Sequence, residues 1–85
     1  MEAKFEDVHI AFNGLANNIQ ISGMNQDFGK ATIELVDLSG KIVEKIKQND
    51  ISGNFVWTLE NNYEGIYLIS IRNKKEKVVR KIFMH

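Results

Sequence analysis

The chain has no cysteine and no proline among its 85 residues. Without cysteine, disulfides and Cys-based zinc sites are excluded, and the packed core must hold the fold alone. The redox compartment stays open. Without proline, every tight turn falls to Gly, Asn and Asp, which is unusual in a chain with many turns. No apolar run reaches the ~18 residues of a membrane-spanning helix. The opening Met1-Glu2-Ala3-Lys4-Phe5-Glu6-Asp7 is acidic and lacks the apolar centre of a signal peptide. No segment keeps a helical period over about ten residues.

Hydrophobic residues make up 44% and charged residues 26%. That is the balance of a globular domain, not of a disordered segment. A chain of this length suits one small domain, burying roughly 60% of its unfolded surface for a few kcal/mol of stability. The formal net charge is zero, yet it is unevenly spread. Arg72, Lys74, Lys75, Lys77, Arg80 and Lys81 face only Glu76 near the C-terminus. Such an asymmetry can guide a partner.

The stretch from Ile33 to Val43 organises the rest. A strand-like run enters a tight Leu38-Ser39-Gly40-Lys41 turn and a second run leaves it. Gly40 can take a positive φ there, which predicts a type I turn with a Gly bulge. Around it, short segments alternate with period two between turn signals. Val8, Ile10 and Phe12 share one side of the first, with His9 and Ala11 opposite. Asn13-Gly14 then opens a loop. Ile19 and Ile21 point inward in the second, Asn18 to Gly23, and a loop from Met24 to Gly29 follows.

Lys30 to Leu38 is the third strand, with Ala31, Ile33 and Leu35 on one face. Val36 and Leu38 fall out of phase, which predicts a bulge near Val36-Asp37. Ile42 to Lys47 has no clear phase: Ile42, Glu44 and Ile46 share one side, Val43, Lys45 and Lys47 the other. After a loop from Gln48 to Gly53, Phe55, Trp57 and Leu59 point into the core. Ile66 to Arg72 is apolar on both faces apart from Ser70, which predicts a central strand covered on both sides. Val78 to Met84 closes the chain, with Val79 and Phe83 on the face that holds Lys81. The pattern is all-β: a compact immunoglobulin-like β-sandwich of about seven antiparallel-dominated strands, with Trp57 at its centre.

Reactive chemistry is sparse. His9 reads as a solvated surface histidine and His85 ends the chain, so neither a catalytic base nor a metal site is expected. Glu34 and Asp37 could be an acid pair, but read more simply as a strand residue and a turn-flanking Asp. No Gly-rich phosphate loop is present. Trp57, Phe55 and Tyr67 suit a core better than a ligand box. The basic C-terminal hairpin, with Tyr67 and Phe83 near it, could bind nucleic acid or a protein. Its simpler role is to block edge-to-edge aggregation. No nucleic acid and no cofactor are expected, and the chain reads as a non-enzyme.

Ile33 to Val43, then Gly65-Ile66-Tyr67-Leu68-Ile69-Ser70-Ile71, then Val78-Val79-Arg80-Lys81-Ile82, resemble the C-terminal sorting domain (type A) of type IX secretion cargo from Bacteroidota. Order and spacing match over residues 12 to 85. A Pro-Asn-Pro-Ala segment common in the family is replaced here by Phe12-Asn13-Gly14-Leu15-Ala16-Asn17-Asn18, and the usual terminal Lys by Phe83-Met84-His85. The resemblance implies a signal domain at the C-terminus of a larger exported protein, with residues 1–7 as linker or strand lead-in. Its partners are then an N-terminal cargo domain, the outer-membrane translocon and a sortase-like peptidase, with a cut near Met1 to Val8 or upstream. The cargo passes the periplasm and ends at the cell surface or outside.

In that reading Asp37, Ser39, Gly40 and Lys41 shape the central turn, and Gly65 lets the chain enter its strand. Tyr67 packs its ring while its hydroxyl reaches an edge partner. Val78, Val79, Arg80, Lys81, Ile82 and Phe83 form the recognition strand, open to strand addition. Exposed edges also leave a dimer by edge pairing open. The alternative is an immunoglobulin-like adhesion or carbohydrate-binding module, which requires an exposed platform of Trp57, Tyr63 and Tyr67.

Overall fold

β-Branched side chains are stiff and fit a pleated, half-buried surface, and this chain places them at alternate positions. The computed structural model describes residues 8–24, 29–49 and 53–85. It contains β1 (His9–Asn13), β2 (Asn18–Met24), β3 (Ala31–Val36), β4 (Ile42–Gln48), β5 (Gly53–Thr58), β6 (Gly65–Arg72) and β7 (Lys77–Met84). Each expected strand is present, its ends moved by a residue or two. The expected lead-in at residues 1–7 lies outside the described residues. So do parts of the loops after β2 and β4, at 25–28 and 50–52.

Two antiparallel sheets form, in the order β1-β2-β5 and β4-β3-β6-β7. In a constant-type immunoglobulin domain the fourth strand joins the first sheet. Here β4 pairs with β3 and enlarges the second. Ile19 and Ile21 of β2 meet Ile33 and Leu35 of β3, Ile69 and Ile71 of β6, and Met84 of β7 in a fully buried core. Each such side chain contributes about 1.5–3 kcal/mol on leaving water. β1 lies beside β7 at one side of the sandwich. At the other, β4 and β5 flank an open cleft of about 370 Å³.

Three details differ from the sequence reading. The bulge lies on β4: Leu35 pairs with Glu44 and Val36 with Ile42, leaving Val43 unpaired. That extra residue turns Ile42 outward while Val43 and Ile46 pack on the core, which is why no single phase fitted the segment. Trp57 is buried, at 4% exposure, but β5 is an edge strand, so the centre belongs to the isoleucines. β6 is central in its sheet, yet its two faces are unequally covered: the outer one buries Ser70 but leaves Ile66 open. Ile69 and Ile71 are fully buried, whereas Ile66 on the opposite face is 41% exposed.

Candidate functional site

The β3–β4 turn is built by one carboxylate and one glycine. Asp37 Oδ1 accepts from the Ser39 N–H at 2.9 Å, the Ser39 hydroxyl at 2.6 Å and the Lys41 N–H at 3.0 Å. The Gly40 N–H donates to the Asp37 carbonyl at 3.0 Å, and the Asp37 N–H to the Lys41 carbonyl at 2.9 Å. With Gly40 at φ 94°, this is the type I turn with a Gly bulge. The Ser39 hydroxyl, then the Lys41 N–H, hold the Asp37 carboxyl below the ordinary aspartate value. These groups stabilise a turn.

Gly65 opens β6 at φ 106°, opposite Met84. Tyr67 is half-buried and meets Tyr63 edge to face, ring centroids 5.5 Å apart. The hydroxyl that reaches an edge strand is that of Tyr63, which donates to Glu44 Oε2 at 2.7 Å. Glu44 also accepts the Glu60 N–H at 3.0 Å and the Asn61 N–H at 3.1 Å. One carboxylate on β4 thereby anchors the β5–β6 loop. Burial first, and the Glu44 hydrogen bond second, raise the Tyr63 pKa. The partners lie sixteen to nineteen residues from Glu44, so no local pattern announces them.

The expected recognition residues divide by period two. Val78 and Ile82 are in the core, with Arg80 on the same inner side. Val79, Lys81 and Phe83 face outward, Phe83 at 62% exposure. The outward side chains do not stand alone. Register places Val79 beside Ser70, Lys81 beside Leu68 and Phe83 beside Ile66. It then places Leu68 beside Val36, and Val36 beside Ile42. An apolar stripe thus crosses all four strands on the side away from the core. Sequence reading groups Val79, Lys81 and Phe83 on one face of β7 but does not find this stripe, because only register joins its parts.

The same face is basic at its other end. Lys47, Thr32, Arg72 and Lys77 form one row across it, and Lys45 stands opposite Glu34 in the next. Glu34 is buried and accepts from Arg72 Nη2 at 3.2 Å. It is the one carboxylate at an outward position among the described strands of this sheet.

His9 is exposed on β1, and His85 stacks on Phe83 at 5.5 Å. Among the described residues no cluster of His, Asp and Glu could hold a metal ion. The glycan platform does not form: Trp57 is buried and the two tyrosines pack partly against the core.

No curated protein matches the sequence. A model of the secretion system C-terminal sorting domain matches residues 7–85, nearly the whole chain. With the turn, the strand order and the closing basic strand all falling within that match, the chain belongs to the C-terminal sorting domains of type IX secretion.

Proposed function

We propose that the secretion machinery reads this domain through β7, and that the outward side chains Val79, Lys81 and Phe83 carry the label. The domain is a C-terminal sorting signal for type IX secretion, which directs its cargo to the cell surface or the extracellular space. The observation supporting β7 is its split. Val78 and Ile82 are buried, while Val79 and Phe83 are exposed large apolar residues that no fold requirement explains. β7 is also a sheet edge, so strand addition by a receptor is open to it. A dimer through the same edge would compete with that.

In this reading residues 1–85 are one domain at the C-terminus of a larger exported protein. The cargo crosses the periplasm behind its own signal peptide, and the outer-membrane translocon receives the folded tail. A sortase-like peptidase then removes it, cutting near Met1 to Val8 or upstream, and anchors the cargo. The family is not known for catalysis, and the chain is the peptidase's substrate.

The test is a fusion of residues 1–85 to an exported reporter in a bacterium with type IX secretion. The wild-type fusion should reach the surface. Val79→Ser with Phe83→Ser should abolish that delivery while leaving the fold intact. Surface delivery unchanged by that pair would remove β7 as the label.

A further inference from the structure

The label on β7 is one edge of a larger surface. Resting on the reading of this chain as a sorting signal, we infer that the outer face of the β4-β3-β6-β7 sheet docks an acidic protein surface with an apolar centre, contributed by the secretion machinery. Ile42, Ile66, Leu68, Val79 and Phe83 form the contact core. Lys81 stands between Val79 and Phe83, and Lys45, Lys47 and Lys77 lie toward the opposite end.

The arrangement is that of an interface rather than of an ordinary surface. Ile42, Val36, Leu68, Ile66 and Phe83 gather at one end with Lys81 among them, and Lys45, Lys47, Arg72 and Lys77 stand toward the other, so an apolar patch adjoins a basic one. Phe83 is a ring able to anchor in a partner's pocket. A face that serves only solubility alternates polar residues outward, as antiparallel sheets commonly do. This one instead spends isoleucine, leucine, valine and phenylalanine on the side away from the core.

Charge selects the occupant. Lys45, Lys47, Arg72, Lys77 and Lys81 occupy outward positions against Glu34, which is buried and committed to Arg72. A second copy meeting this face with its own would set cation against cation, which costs several kcal/mol for close pairs. An acidic partner removes that cost and gains steering. Single-stranded nucleic acid needs aromatic rings interleaved with cations. Here the outward strand positions carry one ring, Phe83, at the apolar end.

Size sets the lifetime. Four strands about 4.8 Å apart, over about 20 Å of β6, cover roughly 300–400 Å². That is about half of what each partner buries in a stable complex. Docking is therefore transient, which suits a tail that must be passed on.

The decisive variants lie off β7. Ile42→Ser with Ile66→Ser, and Lys45→Glu with Lys47→Glu, should each lower surface delivery of the reporter fusion about tenfold, equivalent to about 1.4 kcal/mol of docking free energy. Lys45→Arg with Lys47→Arg should retain delivery. Gln20→Glu with Val56→Ser, exposed on the outer face of the other sheet, should also retain it. Circular dichroism melts confirm that each variant folds. A wild-type fusion that fails to reach the surface overturns the sorting reading itself. A wild type that is delivered, with both off-β7 variants delivered equally well, overturns this inference and leaves β7 as the label. Equal loss with arginine and glutamate overturns the acidic partner. So does binding of the wild-type domain to phosphatidylglycerol-containing vesicles, if the same variants abolish it, because the face would then serve a membrane.

Discussion

Asp37 does in this chain what proline does in many turns. It holds the turn shut with its side chain, through three hydrogen bonds onto Ser39 and Lys41. Its folded pKa lies below the ordinary value. Its contribution is therefore present above the ordinary aspartate range and lost as pH falls through the lower, folded value. Asp37→Asn should flatten the acid limb of melting temperature against pH, and Asp37→Ala should lower the melting temperature at neutral pH. Both are read by circular dichroism. Gly40 has open space where a Cβ would sit, so the cost of Gly40→Ala is conformational, about 1–2 kcal/mol in denaturant titration. Glu44 is the residue with the widest reach. Glu44→Ala should cost about 1–2 kcal/mol. Glu44→Gln should lower the Tyr63 pKa in a spectroscopic titration without restoring the ordinary value, because burial, the larger cause, remains.

β7 separates stability from recognition along one strand. Ile82→Ala empties a core position and should cost about 2–5 kcal/mol in urea unfolding. Phe83→Ala, one residue on, should change stability by no more than about 0.5 kcal/mol. A comparable loss at both positions would mean that the contacts of Phe83 with His85 and Ile66 carry stability. Much of the strand pattern is legible from sequence. Period two in β1, β2 and β5 declares both the strand and its buried side, whereas β7 carries apolar residues and a cation on each face, so its strand is legible but its buried side is not. β4 hides its phase because the unpaired Val43 reverses it halfway. β6 misleads in a different way. Its apolar outer face looks like burial, yet Ile66 there is 41% exposed. The same physical signal, apolar residues on both faces, marks either a second layer or a docking surface, and only the tertiary arrangement distinguishes them. Glu44 and the apolar stripe were illegible for a common reason: their parts meet through pairing of distant strands.

At the scale of the whole molecule, antiparallel pairing brings distant segments together, and such topologies fold in milliseconds to seconds. With no proline in the sequence, no prolyl isomerisation can add the tens-of-seconds phase common in proteins. Stopped-flow refolding should show no such slow amplitude. A slow phase would point instead to a trapped misregister or to association.

The split of β7 has a consequence for quality control. Because Val78, Ile82 and Met84 insert into the core as Val79, Lys81 and Phe83 turn out, a tail that has not finished folding carries no legible stamp. Export becomes conditional on a completed tail, with the final strand acting as both its closing latch and its passport. Ile82→Ala, which leaves every outward side chain unchanged, should therefore reduce delivery of an exported reporter in step with the fraction of molecules unfolded at the growth temperature.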